Sequence, residues 1–387
     1  MTKVYTCTGH ELKIPDITAG EGIYLFDAHG KRYMDLESGV WCTALGHKNL
    51  RVNEAITQQM EVLTHAGFCY SNPVLETAAE AVLDIADFAG GRALFLCSGS
   101  EAIEISRQMA KHLTGKELSM TLHDSYLGAY SSVTNRTRDW FLFNWEPCRT
   151  CEKQEACDPS CRAFDAVPTN ISDFVFEPGS SSGFVRFPPK AMIQNLGNRV
   201  RANGGKIIAN EVTTGIGRTG KWFGFQHYPI LPDLIAMGKG LGNGYPVSAA
   251  AIHPDMVREL ENRPFKYAQS HQNDPLGAAA ALAVIQEIQV RGLIKEAGQK
   301  GAGFLERLRD LVDHEIILGV RGRGLMFAVD LANEKIAEKI YDNLIRKGYI
   351  LCNRGTSFRI DPPLTITPKE INSFMDAFEE EVSSQKR

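Results

Sequence analysis

The sequence of 387 residues lacks several features that mark specialised classes of protein. Positive charge is not in excess, because the chain has 42 Lys and Arg residues and 46 Asp and Glu residues. The charge balance therefore does not indicate a nucleic-acid partner. No apolar run approaches the length of a membrane span, and the first residues contain no uninterrupted apolar segment typical of a secretory signal. Internal repeats and low-complexity linkers are also absent. The composition predicts a cytoplasmic protein without a membrane partner.

Cysteine is not scarce, and its distribution is uneven. Nine cysteines, an odd number in a chain without a signal, favour reduced thiols over a disulfide framework. Four of them, Cys148, Cys151, Cys157 and Cys161, follow a C-x2-C-x5-C-x3-C pattern in a polar stretch without helical or strand periodicity. Such a cluster can bind a structural zinc ion or an iron–sulfur cluster. Four reduced thiols on a surface excursion, or two disulfides under oxidation, are the alternatives.

Short apolar runs alternate with longer segments of helical period, which predicts an α/β fold with a mainly parallel sheet. The candidate strands lie at 92–97, 173–177, 206–210 and 234–237. In open α/β sheets ligands bind beyond the carboxyl ends of the strands, so we expect these four ends to converge on one site. We predict a large domain at 46–274, and a smaller α+β domain formed by 1–45 and 275–387.

Lys239 is the residue that most directly indicates chemistry. It follows an apolar segment and precedes Gly240, Gly242 and Gly244. Small neighbours allow a flat ring to approach the lysine nitrogen, so Lys239 can form a Schiff base with a carbonyl cofactor. An ordinary helix end or turn gives the same local pattern and is the alternative.

A second candidate site element lies between a predicted strand and a predicted helix. The sequence Ser-Gly-Ser-Glu at 98–101 places backbone N–H groups at a helix start, where they can bind a phosphate. A plain N-cap is the alternative. Further along the chain, Tyr126 can stack on a flat ring or can be an ordinary core or surface residue.

Motifs spread over nearly the whole chain resemble those of class III aminotransferases. They lie at 27–35, 46–47, 98–102, 177–178, 211–220, 321–326 and 359–364, together with the Lys239 segment. The resemblance implies the fold type I architecture of pyridoxal phosphate (PLP) enzymes, with a mainly parallel seven-stranded sheet in the large domain. It also implies a homodimer with shared active sites, PLP as the cofactor, and an amino acid or ω-amine with a keto acid as substrates.

The resemblance assigns roles to individual residues. Lys239 would form the Schiff base and move the substrate proton, and Arg359 would bind the substrate carboxylate through its planar fork. Trp41 and Tyr70 fall where the family lines its substrate pocket, although Trp41 is equally compatible with a subunit interface. The expected cofactor contacts are Gly99, Ser100, Tyr126, Glu177, Asn210, Val212, Thr213 and Lys239, with Ser270 reaching the phosphate of the other subunit.

Three departures from the family pattern bear on activity. Asn210 stands where an aspartate keeps the pyridine nitrogen protonated, and an uncharged amide weakens the ring as an electron sink. Thr213 replaces a glutamine. Ser182 replaces a glutamate that pairs with the arginine in ornithine-type members, so we expect Arg359 to be permanently free.

The leading interpretation is a PLP-dependent aminotransferase. Because Asn210 weakens the electron sink, a racemase, epimerase or lyase is the first alternative. A catalytically silent PLP-binding protein is the second.

Overall fold

The computed structural model describes residues 3–9, 12–136 and 138–386. The strands are β1 (Ile17–Glu21), β2 (Tyr24–Asp27), β3 (Arg32–Asp35), β4 (Arg92–Leu96), β5 (Leu118–Leu122), β6 (Trp140–Phe143), β7 (Ile171–Phe176), β8 (Lys206–Asn210), β9 (Leu234–Met237), β10 (Ser248–Ile252), β11 (Ile317–Arg323), β12 (Met326–Leu331), β13 (Tyr349–Ile350), β14 (Cys352–Arg354) and β15 (Ser357–Ile360). The helices are α1 (Ser38–Trp41), α2 (Leu50–Val62), α3 (Pro73–Ala86), α4 (Gly99–Thr114), α5 (Ser131–Thr134), α6 (Lys190–Ala202), α7 (Pro254–Asn262), α8 (Pro275–Arg291), α9 (Leu293–Asp310), α10 (Glu334–Lys347) and α11 (Pro368–Ser383).

A seven-stranded sheet with the order β4-β10-β9-β8-β7-β5-β6 confirms the predicted fold class. Neighbours from β9 to β6 are parallel, and β10 runs antiparallel to both β4 and β9. Alternate residues of the strands face opposite sides, as the period of two requires. Val175 and Ile208 pack in a cluster with the apolar residues of α4, whereas Phe174 and Ile207 pack in a cluster with those of α6. Helices on both faces explain why every residue of β7 and β9 is buried.

Two smaller sheets have the orders β1-β2-β3-β13 and β11-β12-β15-β14. The second sheet is covered by helices, and Phe304 of α9 contacts both Phe327 of β12 and Phe374 of α11, with ring centroids 4.8 and 6.0 Å apart. The large sheet uses residues between 92 and 252, and the smaller sheets use residues at 17–35 and 317–360. The domain boundaries given by the sequence stay a prediction.

The direction of the strands places the candidate residues at one edge. Strands β7, β8 and β9 are parallel neighbours, and β4 runs in the same direction because both β4 and β9 are antiparallel to β10. Glu177, Asn210 and Lys239 therefore follow strands that end at the same edge as the start of α4. The four predicted strands thus converge as expected.

Among the described residues, no single helix is both long and apolar enough to cross a membrane. The pair α8 and α9, bent by 66° at a short break, meets the criteria of length and composition only when the two helices are taken together.

Candidate active site

The start of α4 is fixed by a capping box. The Ser98 hydroxyl accepts a hydrogen bond from the Glu101 N–H at 3.3 Å, and the Glu101 carboxylate accepts one from the Ser98 N–H at 2.7 Å. The same carboxylate accepts the Cys97 N–H at 2.9 Å. These bonds set the first helical residue, so the N-terminal turn at Gly99 and Ser100 lines a cavity at the positive end of a 16-residue helix.

Close packing at this helix start requires glycine. A Cβ atom at Gly99 would lie 2.5 Å from Cγ1 of Val212, so a side chain there would push α4 away from the segment after β8. Ser100 is anchored as well, because its hydroxyl oxygen accepts the Ala129 N–H at 3.0 Å. Its hydroxyl proton is still able to donate to an anion.

We call the cavity at this edge the lysine pocket. Its lining residues are Gly99, Ser100, Ile103, Tyr126, Leu127, Gly128, Glu177, Asn210, Val212, Thr213 and Lys239. The structure therefore brings together every residue expected to contact the cofactor except Ser270. Ile103, Leu127 and Gly128 were not predicted, because apolar side chains and a loop glycine carry no chemical signal in the sequence.

Lys239 occupies a constrained position in this pocket. Its backbone has a φ of 45°, at the start of a 3-10 turn that follows β9. Burial lowers the pKa of its amine, while Cys42 and Glu177 oppose that shift. A lowered pKa raises the share of neutral amine, which is the form that attacks a carbonyl. Its Nζ atom lies 5.3 Å from the ring centre of Trp41.

Asn210 is held by two backbone groups. Its Nδ2 donates to the Tyr126 carbonyl at 2.9 Å, and its Oδ1 accepts the Val212 N–H at 3.3 Å. Among the described residues, Glu177 is the one carboxyl group that lines the lysine pocket. Burial raises its pKa to about 7, although it accepts the Tyr126 N–H at 3.1 Å. The pocket therefore holds a carboxyl group that changes charge near neutral pH.

The residues of the lysine pocket fit pyridoxal phosphate. Within the described ranges, the hydroxyl oxygen of Thr213 is buried and has no hydrogen-bond partner, so it is free to bond a polar group of a ligand. Gly99 and Ser100 offer a helix start to a phosphate. Lys239 offers an amine to an aldehyde. Thr213 would hold the ring oxygen of the cofactor, the start of α4 would hold its phosphate, and Lys239 would hold its carbonyl carbon.

A second group of side chains, which we call the arginine cluster, consists of Arg359, Asp361, Glu37 and Trp41. Arg359 is buried, with Nε donating to Asp361 at 2.6 Å and Nη2 donating to Glu37 at 2.8 Å. Its guanidinium carbon lies 3.6 Å from the ring centre of Trp41. The expectation that Arg359 is permanently free is therefore wrong, because Glu37 supplies the carboxylate that the Ser182 segment lacks.

Sequence reasoning missed Glu37, although one signal was available. It is an acidic residue between Leu36 and a Ser-Gly-Val-Trp stretch, where nothing in the local pattern calls for a charge. Its partner Arg359 lies more than three hundred positions away along the chain. Only the pairing of distant elements could reveal the ion pair.

The backbone that carries Glu37 and Trp41 is unusual. Helix α1, at Ser38–Trp41, is a single left-handed turn with φ values of 49, 55, 59 and 66°. This conformation costs roughly 1–2 kcal/mol for each residue that is not glycine. Asp35 stabilises the turn by accepting the N–H groups of Glu37 and Gly39, each at 2.9 Å. The strain therefore lies where Trp41 is presented to both Lys239 and Arg359.

Tyr70 and Ser270 lie outside both the lysine pocket and the arginine cluster. Tyr70 is 72% exposed and lines a different and larger cavity of about 1050 Å³, which contains no lysine. Ser270 is exposed and is not among the residues that line the pocket of its own chain. Trp41, in contrast, is buried beside Lys239.

The four-cysteine segment forms three 3-10 turns, at Glu146–Arg149, Gln154–Ala156 and Arg162–Phe164. All nine cysteines of the chain are free thiols. Burial, together with the other three thiols of the segment, raises the pKa of Cys148 to about 11. Among the described residues, the one group of three possible metal ligands within 4.8 Å of one another is His65, His271 and Asp274, so the four sulfur atoms are not gathered around a single point.

Known proteins support the same interpretation. Residues 7–382 match the family described as Aminotransferase class-III. An acetylornithine aminotransferase of Archaeoglobus fulgidus is 30% identical over 93% of both chains, and a leucine/methionine racemase of Thermococcus litoralis is 27% identical over 93% of this chain and 88% of that protein. A solved phospholyase from Arthrobacter, in complex with phosphoethanolamine, has a TM-score of 0.86 and 26% identity, covering 95% of this chain and 94% of that chain.

The match to the family extends over nearly the whole chain, and the lysine pocket holds the groups that its cofactor needs. This chain belongs to the class III aminotransferase family and is a PLP-dependent transaminase.

Proposed function

We propose that the enzyme transfers the amino group of a carboxylate-bearing amino acid to a keto acid, with the amine at Lys239 and the carboxylate at Arg359. The observation that carries this proposal is the contact of one indole ring with both cations. Trp41 lies 5.3 Å from Lys239 Nζ and 3.6 Å from the Arg359 guanidinium, measured to its ring centre. A small amino acid can therefore reach both groups while packing against the same aromatic surface.

When bound, pyridoxal phosphate supplies an aldehyde and a ring that accepts electrons from the bond broken at the substrate's Cα atom. Side chains of the protein would bind the cofactor, move the proton and exclude water. The start of α4 would hold the phosphate, and the Lys239 amine would accept the Cα proton of the substrate. Asn210 would stand beside the ring without supplying a charge, and the Thr213 hydroxyl would donate to a ring oxygen. Trp41 excludes water from one side of Lys239.

A spectroscopic titration tests this proposal. Purified holoenzyme is mixed with L-amino acids, D-amino acids and ω-amines one at a time, without any keto acid. We expect the absorption band of lysine-bound cofactor to fall and a pyridoxamine phosphate band to grow with the true donor. A keto acid should then restore the first band. If no amine produces pyridoxamine phosphate, the transfer reaction is wrong for this chain.

Racemisation is the second candidate function, and Asn210 is the observation that favours it. A neutral ring nitrogen weakens electron withdrawal, so a proton can return to Cα before it reaches the cofactor carbon. Chiral chromatography of each amino acid after incubation with holoenzyme, without keto acid, separates the two reactions. Interconversion of enantiomers without pyridoxamine phosphate would establish the racemase.

We also propose that the enzyme is a cytoplasmic homodimer in which Ser270 completes the phosphate site of the other subunit. What supports this is the exposure of Ser270 and its absence from its own chain's lysine pocket. Refolding or coexpressing two inactive variants, Lys239→Ala and Ser270→Tyr, tests it. Each hybrid dimer should contain one intact site and one doubly substituted site, so a random mixture of the two variants should regain about a quarter of the activity of the natural enzyme. Mixtures without recovered activity would contradict shared sites.

For the four-cysteine segment we keep the proposal of a structural zinc ion or iron–sulfur cluster. What supports it is the spacing and the mutual influence of the four thiols on the pKa of Cys148. Elemental analysis of protein expressed with added zinc or iron tests it, with Cys148→Ser against the control Cys69→Ser. One metal site per chain, lost only in the first variant, is the expected result.

A further inference from the structure

We propose that Glu37 determines which substrates the enzyme accepts, by occupying Arg359 until an incoming carboxylate displaces it. This inference rests on the proposed function, because it requires Arg359 to bind the substrate carboxylate. It adds a residue that lies outside the lysine pocket and that sequence motifs did not indicate. The substrate class that follows is wide, comprising amino acids and also amines that carry no carboxylate.

Glu37 is the partner of Arg359 that can leave. Its side chain is 22% exposed, so it can rotate into solvent. Asp361 is fully buried and its backbone is fixed, with its N–H donating to the Leu36 carbonyl at 2.7 Å and its carbonyl accepting the Ser38 hydroxyl at 2.5 Å. A substrate carboxylate therefore replaces Glu37 at Nη2, while Asp361 keeps Nε.

The exchange is electrically balanced. A buried guanidinium that loses an anionic partner is strongly destabilised, whereas one carboxylate replacing another keeps the net charge of the arginine cluster unchanged. An amine without a carboxylate leaves the pair of Glu37 and Arg359 intact, so it can bind without exposing an unpaired buried charge. The same site can therefore accept both kinds of substrate.

The movement needs only a side-chain rotation. The backbone at Glu37 is held by Asp35, which accepts the N–H groups of Glu37 and Gly39, and the left-handed turn that follows fixes Trp41. The Nη1 atom of Arg359 faces Gly183, where a Cβ atom would lie 3.0 Å away. Glu37 and the segment that carries Ser182 thus approach different nitrogen atoms of the same guanidinium.

Glu37→Gln tests the inference, because it keeps the side-chain shape and removes the competing charge. We expect KM for amino-acid donors to fall about tenfold with kcat nearly unchanged, since one charge-assisted hydrogen bond no longer has to be replaced. KM for carboxylate-free amines should stay the same or rise. Glu37→Ala should also lower KM for amino-acid donors. The matched control is Glu379→Gln, which removes a surface ion pair with Arg307. This variant should leave KM unchanged for both amino-acid donors and carboxylate-free amines.

A binding measurement gives a readout that does not depend on turnover. A monocarboxylate without an amine or keto group, such as 4-phenylbutyrate, is titrated into holoenzyme by calorimetry. We expect about tenfold tighter binding to Glu37→Gln than to the natural enzyme, and no such gain for 4-phenylbutanol.

The outcomes separate this inference from the proposed function. If no donor is converted but the carboxylate still binds tighter to Glu37→Gln, the transfer reaction fails and the role of Glu37 stands. If donors are converted but neither Glu37 variant changes the preference for amino acids over amines, the inference is overturned. The same holds if 4-phenylbutyrate binds equally to both proteins.

Discussion

The family resemblance implies one carboxylate in the lysine pocket and another beside the arginine, and the two regions of this chain differ in what stands at those places. In the lysine pocket, Asn210 is held by two backbone groups, and no acidic side chain of the described residues bonds to it. In the arginine cluster, Ser182 leaves a gap that Glu37 fills from a different part of the chain, 2.8 Å from Arg359.

The difference has a physical reason. Arg359 carries a guanidinium cation and is buried, so it requires anionic partners from somewhere in the fold. A pyridine nitrogen can lose its proton and stay neutral, so no counter-charge is obligatory beside it. A missing charge is therefore restored only where the remaining charge is permanent.

Removing the permanent charge should give the largest effect. Arg359→Gln leaves Glu37 and Asp361 without their cation, so we expect the free energy of unfolding to fall by about 3–5 kcal/mol. KM for amino-acid donors should rise on the order of 100-fold, the loss of a charge-assisted bidentate contact. The double variant Arg359→Gln with Glu37→Gln should recover part of the stability in urea denaturation. Equal stability of the single and double variants would contradict the coupling.

The lysine pocket is expected to respond to pH through Glu177. Its pKa of about 7 in the folded state exceeds its ordinary value of 4.5, so its protonated form favours folding. The contribution to stability is fully present below pH 4.5 and is lost as pH rises through 7, by roughly 3 kcal/mol. Glu177→Gln should flatten the unfolding free energy over that window. An unchanged pH slope would show that Glu177 does not titrate there.

Glu211→Gln is the matched control, because Glu211 is also fully buried and its pKa is also raised to about 7 by burial. It lies outside the lysine pocket, where its carboxylate accepts the Gly224 and Phe225 N–H groups at 2.7 and 2.6 Å. Saturating the enzyme with pyridoxal phosphate should alter the pH slope of the natural protein and of Glu211→Gln. It should have little influence on the slope of Glu177→Gln.

Restoring the charge at the ring should have a moderate effect. Asn210→Asp places a carboxylate where the ring nitrogen lies in the family, so we expect the amino-transfer half-reaction to accelerate about tenfold, equivalent to roughly 1.4 kcal/mol. Asn53→Asp, on an exposed position of α2, should change nothing. Stopped-flow measurement of pyridoxamine phosphate formation gives the rate of this half-reaction for each variant. A half-reaction of unchanged rate would mean that the ring charge does not limit transfer.

The smallest effect concerns the left-handed turn beside the arginine cluster. Val40 has a φ of 59° and is 48% exposed, so Val40→Gly should relieve backbone strain and raise stability by about 1 kcal/mol. Val290→Gly, at an exposed position in right-handed α8, should instead cost about 1 kcal/mol. Urea denaturation of the two variants in parallel measures the change in unfolding free energy that each substitution causes. A loss of stability in both would show that the turn is not strained.

The strand ends, the capped start of α4 and the reactive lysine could be predicted from local patterns. Strand β8 and its end at Asn210 follow from an apolar run, and the capping box follows from Ser98 and Glu101. The partner of Arg359 could not be predicted in this way. The β15 strand meets the end of β3 only after folding, and Glu37 carries no motif.

The sequence by itself determined the family, the alternation of strands and helices, and the place of Lys239 just after a strand, because each depends on residues that are close along the chain. The tertiary structure decided that Tyr70 lies apart from Lys239, that Asn210 bonds to the Tyr126 carbonyl, and that Arg359 is paired with Glu37. These facts depend on which distant segments come into contact. Burial then makes a charged group such as Arg359 require a partner, whatever its distance in sequence.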